Sequence, residues 1–211
     1  MARYIGSVCR LCRREGMKLF LKGDRCFTEK CAIEKRNYAP GQHGKGGRIK
    51  SKLQGYGLQL REKQKTKRLY GMIEGQFRLT FDRAAQEKGV VGETLLNKLE
   101  RRLDNVIYRL GFGGSRAQAR QLVRHGHVRV NDKKLNIPSF QVKQGDLISL
   151  SARAGKNALV QQAVESVKGR GVPKWLELDA AGMKGKVLST PARDDVNFPI
   201  QEQLIVELYS K

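Results

Sequence analysis

Three observations predict an α+β protein. Residues 58–110 carry helical periodicity with few strand formers. Residues 115–150 change to a short helix followed by β-branched alternation and turns. The four cysteines all fall within the first 31 residues, in two pairs, which marks a separately organised N-terminal segment.

Each element can be justified in turn. Residues 58–70 are almost wholly polar or basic, and Gly71 ends them as a helix terminator. Phe77, Phe81, Ala84 and Ala85 recur at helical spacing, with Gly89 as the stop. Leu95, Leu96, Leu99, Leu103, Val106, Ile107 and Leu110 form one apolar stripe, which predicts a single helix capped by Gly111. Ser115 then opens a helix over 116–125, closed by Gly126. Its residues Ala119, Leu122 and Val123 face inward, while Arg116, Arg120 and Arg124 fall four apart on another face. Residues 127–130 alternate as a strand, 131–134 turn, 135–137 return, 142–146 turn again and 147–150 form another strand. This reads as two helices on a short sheet. Beyond it, 158–167 is helical, Trp175, Leu176 and Leu178 suggest a strand, and 182–199 reads as loop. Leu204, Ile205, Val206, Leu208 and Tyr209 suggest a last strand.

Charge bounds the function. The 211 residues hold 42 Lys and Arg against 20 Asp and Glu, a net of +22. Solubility needs a magnitude of only about 2–8 for a small domain. An excess this large repels itself unless a polyanion neutralises it, and binding one releases counterions. The excess is uneven. Residues 1–70 hold 19 basic and 5 acidic residues (+14), which leaves 23 and 15 (+8) for 71–211. These features point to a nucleic-acid partner. No apolar run reaches the roughly 18–20 residues of a membrane span, and the N-terminus has no secretory apolar core. A cytoplasmic location without membrane contact is therefore expected.

In a reducing compartment, clustered thiols suggest metal before disulfide. Two residues separate Cys9 from Cys12, and four separate Cys26 from Cys31. Each short loop can bring two sulfurs to one ion, and two loops close a tetrahedron. One structural Zn²⁺ is the expectation, with an iron–sulfur cluster on the same thiolates as the main alternative and disulfides or free buried thiols as the others. Arg10, Arg13, Arg14, Arg25 and Lys30 would balance the net charge of zinc with four thiolates.

The Gly-rich stretch from Pro40 to Gly47 reads as extended backbone able to approach phosphates. The helix after Ser115 is the main candidate reader: its N-terminal amides favour phosphate, and its arginine row can track a backbone. Beside it lie His125, Arg129, Lys133 and Lys134. In the N-terminal third the candidate contacts are Arg3, Tyr4, Arg10, Arg13, Arg14, Lys22, Lys35, Arg36, Tyr38, Gln42, His43 and Lys45. Arg61, Lys63, Lys65, Lys67 and Arg68 follow on the first long helix. Tyr4, Tyr38 and Tyr56 have two equal readings, base stacking or core packing, and the histidines 125 and 127 are equally open between RNA contact and packing.

These residues carry a resemblance. The run Arg101-Arg102-Leu103-Asp104-Asn105-Val106-Ile107-Tyr108-Arg109-Leu110-Gly111-Phe112, with residues 115–128, resembles the RNA-binding domain named after the fourth small-subunit ribosomal protein. Arg3-Tyr4-Ile5-Gly6, Pro40-Gly41-Gln42-His43-Gly44, Leu60-Arg61-Glu62-Lys63-Gln64-Lys65 and Glu202-Gln203-Leu204-Ile205-Val206-Glu207 resemble the bacterial form of that ribosomal protein family. The cysteines resemble its zinc-binding four-cysteine subgroup. The resemblance implies a structural constituent of the 30S subunit in the cytoplasm, monomeric within the ribosome. It implies early binding to the 5′ domain of 16S ribosomal RNA, nucleation of the 30S body, contact with neighbouring proteins including the fifth, and an influence on decoding accuracy. It also implies a domain order: a metal knuckle and basic extension over 1–45, then a helical domain over 46–100 completed by 165–211. Between them, an RNA-binding domain is inserted over 101–164.

Two other classes fit less well. Arg102-Leu103-Asp104 is similar to a pseudouridine-synthase tripeptide, but no second catalytic domain or acid–base cluster accompanies it. A zinc-dependent DNA-binding regulator fits the charge and thiols, yet no helix-turn-helix pair or repeated finger is present.

Overall fold

The structure is a computed structural model that describes residues 3–45 and 54–210. Gly46 and Gly47 of the Gly-rich stretch lie outside the described residues. The chain divides into two compact units, Met1–Gly92 with Pro199–Lys211, and Glu93–Phe198.

The first unit begins with α1 (Cys9–Glu15), ended by Gly16 in the left-handed region, then a 3₁₀ turn (Gly23–Phe27) and α2 (Ala32–Lys35). A second 3₁₀ turn (Gln42–Gly44) interrupts the stretch expected to be extended. Gly44 is obligatory there, since a Cβ would lie 1.8 Å from the Ala39 carbonyl oxygen. Two long helices follow, α3 (Tyr56–Leu69) and α4 (Glu74–Ala85), then α5 (Val91–Glu100) at the junction of the units. The C-terminal element α10 (Glu202–Tyr209) returns to pack on α3. It is a helix, where the sequence suggested a strand. The run contains strand formers, but the packing uses helical period: Ile205 is fully buried, and the residues beside it are half-buried.

Polar contacts tie α10 and the residues before it to α3. Gln59 donates to Glu207 (2.9 Å), the Gln201 amide donates to Glu62 (2.8 Å), and Lys65 donates to the Pro199 carbonyl (2.8 Å). Glu74 gathers Lys63 (2.6 Å), Lys67 (2.8 Å) and the Tyr209 hydroxyl (3.0 Å), and the Tyr209 ring stacks on Phe81. Burial alone would raise the Glu74 carboxyl, but these three hydrogen bonds outweigh it and hold it at about 2. Burial, then the bond to Glu74, pushes the Tyr209 hydroxyl up. A depressed carboxylate stabilises the fold above its unfolded pKa, and that contribution disappears as pH falls toward the folded value. The first unit is therefore expected to lose stability between about pH 4.5 and 2. Glu74→Gln should flatten that part of a pH series of thermal unfolding curves, and an unchanged slope would refute the assignment.

The second unit holds α6 (Leu103–Arg109), α7 (Arg116–Arg124), α8 (Ala152–Gly155), α9 (Ala158–Arg170) and one antiparallel sheet. Its strands are β1 (Val128–Val130), β2 (Lys133–Leu135), β3 (Leu147–Leu150), β4 (Leu176–Asp179) and β5 (Lys184–Val187). The order is β2-β1-β3-β5-β4. Val128, Val130, Ile148, Leu176 and Val187 point from the sheet into a core shared with α6, α7 and α9. An α+β class thus describes the chain. Lys133 and Lys134, expected in a turn, pair in β2 instead, and two further details differ from expectation.

First, the stripe from Leu95 to Leu110 is two helices. Arg101 and Arg102 leave helical geometry to bridge the segment around Gln141: Leu103 donates to the Phe140 carbonyl (2.8 Å), and Val142 donates to that of Arg101 (3.0 Å). The stripe remains buried throughout because the break changes direction without exposing it. Second, residues 182–199 are not all loop, and residues 165–198 do not complete the helical unit. β5 inserts between β3 and β4 and joins this segment to the sheet of the second unit. Gly185 permits it, since a Cβ there would lie 2.6 Å from both Leu110 methyls. A small residue in a short polar strand carries almost no sequence signal. From this segment onward, only Pro199–Lys211 joins the first unit.

Candidate nucleic-acid interface

The α7 helix is built as its sequence suggests. Ser115 caps it, accepting from the Gln118 amide (3.3 Å), and Gly126 closes it with φ 70°. The arginine row is not a free row, however. Arg120 is only 5% exposed and donates to Asp104 (3.0 Å), which also receives a two-pronged bond from Arg102 (3.1 and 2.8 Å). Arg116 donates to Asn105 (2.9 Å) and lies 4.5 Å above the Tyr108 ring. Asn105 and Arg109 in turn donate to the fully buried Glu100 (2.7 Å, and 2.7 and 3.0 Å). Arg116 and Arg120 therefore dock α7 on α6, and Arg124 alone of the three is exposed. The cause is the pair of buried carboxylates, whose charge the core must satisfy.

The other expected contacts of this unit lie at and beyond the end of α7. Arg124, His125, Arg129, Lys133 and Lys134 are all exposed. Arg129 stands directly opposite Lys134 across the β1–β2 pair, a like-charge placement that costs stability unless an anion neutralises it. Lys134 extends over Gly126, where a Cβ would lie 2.3 Å from its Cε. The His125 and His127 rings stand 6.2 Å apart beside a cleft of about 170 Å³, which Gln118, Gln121 and Asn157 also line.

In the first unit many expected contacts are used internally. Arg13 donates to the Tyr38 and Ala39 carbonyls (2.9 and 3.3 Å) and covers the Tyr38 ring at 4.7 Å. On α3, Arg61 and Arg68 bind Glu15, Lys63 and Lys67 bind Glu74, and Lys65 binds Glu62 (2.6 Å). The α3 cations thus hold the unit together. Arg3, Tyr4, Arg10, Arg14, Lys22, Lys35, Arg36, Gln42, His43 and Lys45 remain exposed. Tyr56 is exposed too, whereas Tyr38 is half-buried.

Cys9 and Cys12 lie on α1, Cys26 in the first 3₁₀ turn, and Cys31 caps α2; all four are free thiols, and three are buried. Burial pushes the Cys12 thiol up; a hydrogen bond from the Leu19 backbone opposes it, and the other three cysteines add to it. Burial pushes the Cys26 thiol up as well, although the Lys22 amide, which points at its sulfur (3.4 Å), opposes this. Among the described residues no group of three or more Cys, His, Asp or Glu is set at metal-cage geometry. The donor chemistry fits a thiophilic cation: four sulfurs, with amide support to two of them.

Sequence reading missed Glu100, Asp104, Asn105 and Tyr108 as the residues that position α7. The one available signal was acidic and amide residues sitting inside an apolar stripe.

A small sheet, a helix pinned to α6 by a buried ion pair, and exposed cations around the helix end define an RNA-binding module rather than a catalytic domain. Asp104, the carboxylate in the synthase-like tripeptide, is buried and saturated by two arginines. The comparisons with known proteins agree. Residues 3–100 match the ribosomal protein S4/S9 N-terminal domain, and residues 101–148 match the S4 domain. Over all 211 residues, and over the whole of each relative, the chain is 61% identical to the protein of Acidobacterium capsulatum named small ribosomal subunit protein uS4. It is 62% identical to the one of Trichlorobacter lovleyi and 60% identical to that of Geotalea daltonii. The chain belongs to the uS4 family of ribosomal proteins, and it is a structural protein, not an enzyme.

Proposed function

We propose that this chain is a constituent of the small ribosomal subunit that binds the 5′ domain of 16S ribosomal RNA, nucleates the 30S body and supports translational accuracy. The supporting observation is the end-to-end identity to relatives named small ribosomal subunit protein uS4. The exposed cations at the end of α7 and along residues 3–45 supply the phosphate contacts. The protein acts as a monomer in the cytoplasmic ribosome, beside neighbouring small-subunit proteins including the fifth. Chemical footprinting of small-subunit ribosomal RNA with and without the protein tests this reading. Protection confined to the 5′ domain is expected, and equal affinity for duplex DNA at matched salt would refute it.

The same reading assigns one structural zinc ion to Cys9, Cys12, Cys26 and Cys31, with an iron–sulfur cluster as the alternative that metal analysis distinguishes. When bound, the ion fixes a segment too polar to fold on its own apolar area. Chelation, or Cys9→Ser, should broaden or collapse the amide resonances of residues 3–45 while those of residues 103–150 stay dispersed. Unchanged N-terminal resonances after complete metal removal would refute a structural ion.

A further inference from the structure

We propose that Phe27 is a stacking platform for one unpaired nucleobase of the bound RNA, with Phe20 as its backing ring; this rests on the RNA-binding reading above. Phe27 ends the Gly23–Phe27 turn and is 69% exposed, although its neighbour Cys26 is buried. Its inner face lies on Phe20, with ring centroids 5.0 Å apart and planes 25° from parallel. The outer face is open. Phe20 itself sits at φ 51°, a left-handed conformation that a bulky residue adopts only when its surroundings force it. Its chain neighbour Leu19 is fully buried and anchors that conformation. The local fold thus holds a pair of rings toward solvent instead of folding them into the core.

Chemistry selects the occupant. An open cleft of about 410 Å³ adjoins Phe27, lined also by Lys18, Thr28, Glu29, Glu34 and Lys35. The two lysines and two carboxylates of the lining balance, with Lys18 tied to Glu34 at 2.6 Å, so the cleft gives an anion no net attraction. A neutral, flat base needs none. Lys22, Arg25 and Lys30, close by in sequence, are exposed and form no ion pair among the described residues, which gives the flanking phosphates their partners. An apolar protein segment would gain from the ring but would have to desolvate these charges without replacing their hydration. A stacked nucleotide satisfies both the ring and the cations.

The test is equilibrium binding of the full chain to small-subunit ribosomal RNA at fixed salt, with ultraviolet crosslinking to locate the contact. Phe27→Ala should weaken binding by about 5- to 150-fold, the range measured for loss of one stacked base. Phe27→Tyr and Phe27→Trp keep a π-face and should bind as the parent does. Phe27→Leu keeps apolar volume without a π-face and should fall with the alanine variant. A crosslink should join residue 27 to a base. Undiminished binding by the alanine variant overturns the proposal, and parental binding by the leucine variant replaces stacking with plain apolar docking. If the unsubstituted chain fails to bind this RNA, the RNA-binding reading fails instead.

Discussion

Asp104→Ala should lower the unfolding free energy of the Glu93–Phe198 unit by about 3–5 kcal/mol, the range for breaking one side of a buried ion pair. Asp104, Arg102 and Arg120 are each 5% exposed or less. Removing the carboxylate leaves two guanidinium groups in the core without the anion that both of them bind. The unit carries its own reporter, since Trp175 is the chain's one tryptophan and is buried in the same core. Urea titration followed by its fluorescence measures the loss, and a change below about 1 kcal/mol would show that water or neighbouring groups satisfy the arginines. Replacing all three residues together, as Arg102→Met, Asp104→Leu and Arg120→Met, should be close to neutral or stabilising by about 1–4 kcal/mol. RNA affinity in that triple variant is the informative readout. If Arg120 acts by docking α7, affinity survives; if Arg120 touches RNA, affinity falls while the fold remains.

This network also shows where the sequence could be read and where it could not. Ser115, the inward face of α7, β1 and β3 were legible because cap, period and turn chemistry agree there, whereas β2 begins two residues before the 135–137 expected for it, at residues expected to turn. The apolar stripe was legible as core, but its break at Arg101 and Arg102 was not. The break answers a segment forty residues later, around Gln141, which no local window contains. β5 was invisible because Lys184, Gly185 and Lys186 have no strand pattern; the sheet edge beside it, and the approach of Leu110 to Gly185, make it a strand. The C-terminal run failed for the opposite reason. Ile205 and Val206 favour strands intrinsically, yet α3 offers a helical groove and the Glu62 and Gln59 contacts hold it there. At the interface the residue types were correct and their availability was not. A lysine on a helix looks the same in sequence whether it faces phosphate or Glu74.

That difference in availability leads to the largest expected effect. Binding to 16S ribosomal RNA should weaken by about 10³–10⁵ between 50 and 200 mM salt, as expected for about 6–10 neutralised phosphates. Were every expected cation on RNA, the slope would be steeper still. Arg13, Arg61, Lys63, Lys65, Lys67, Arg68, Arg116 and Arg120 are instead engaged within their own units. The two groups separate by experiment. Arg124→Ala and Lys134→Ala should each reduce the slope of log affinity against log salt by about one unit, with little loss of stability. Lys63→Ala should leave the slope unchanged and destabilise the first unit, because it removes a donor from Glu74. Filter binding across a salt series, with thermal unfolding of each variant, distinguishes the outcomes. A flat salt dependence would refute the electrostatic account, and a reduced slope for Lys63→Ala would return α3 to the RNA surface. The cations of this chain therefore divide by role: some hold each unit together on its own carboxylates, carbonyls and amides, and others stand exposed for the polyanion.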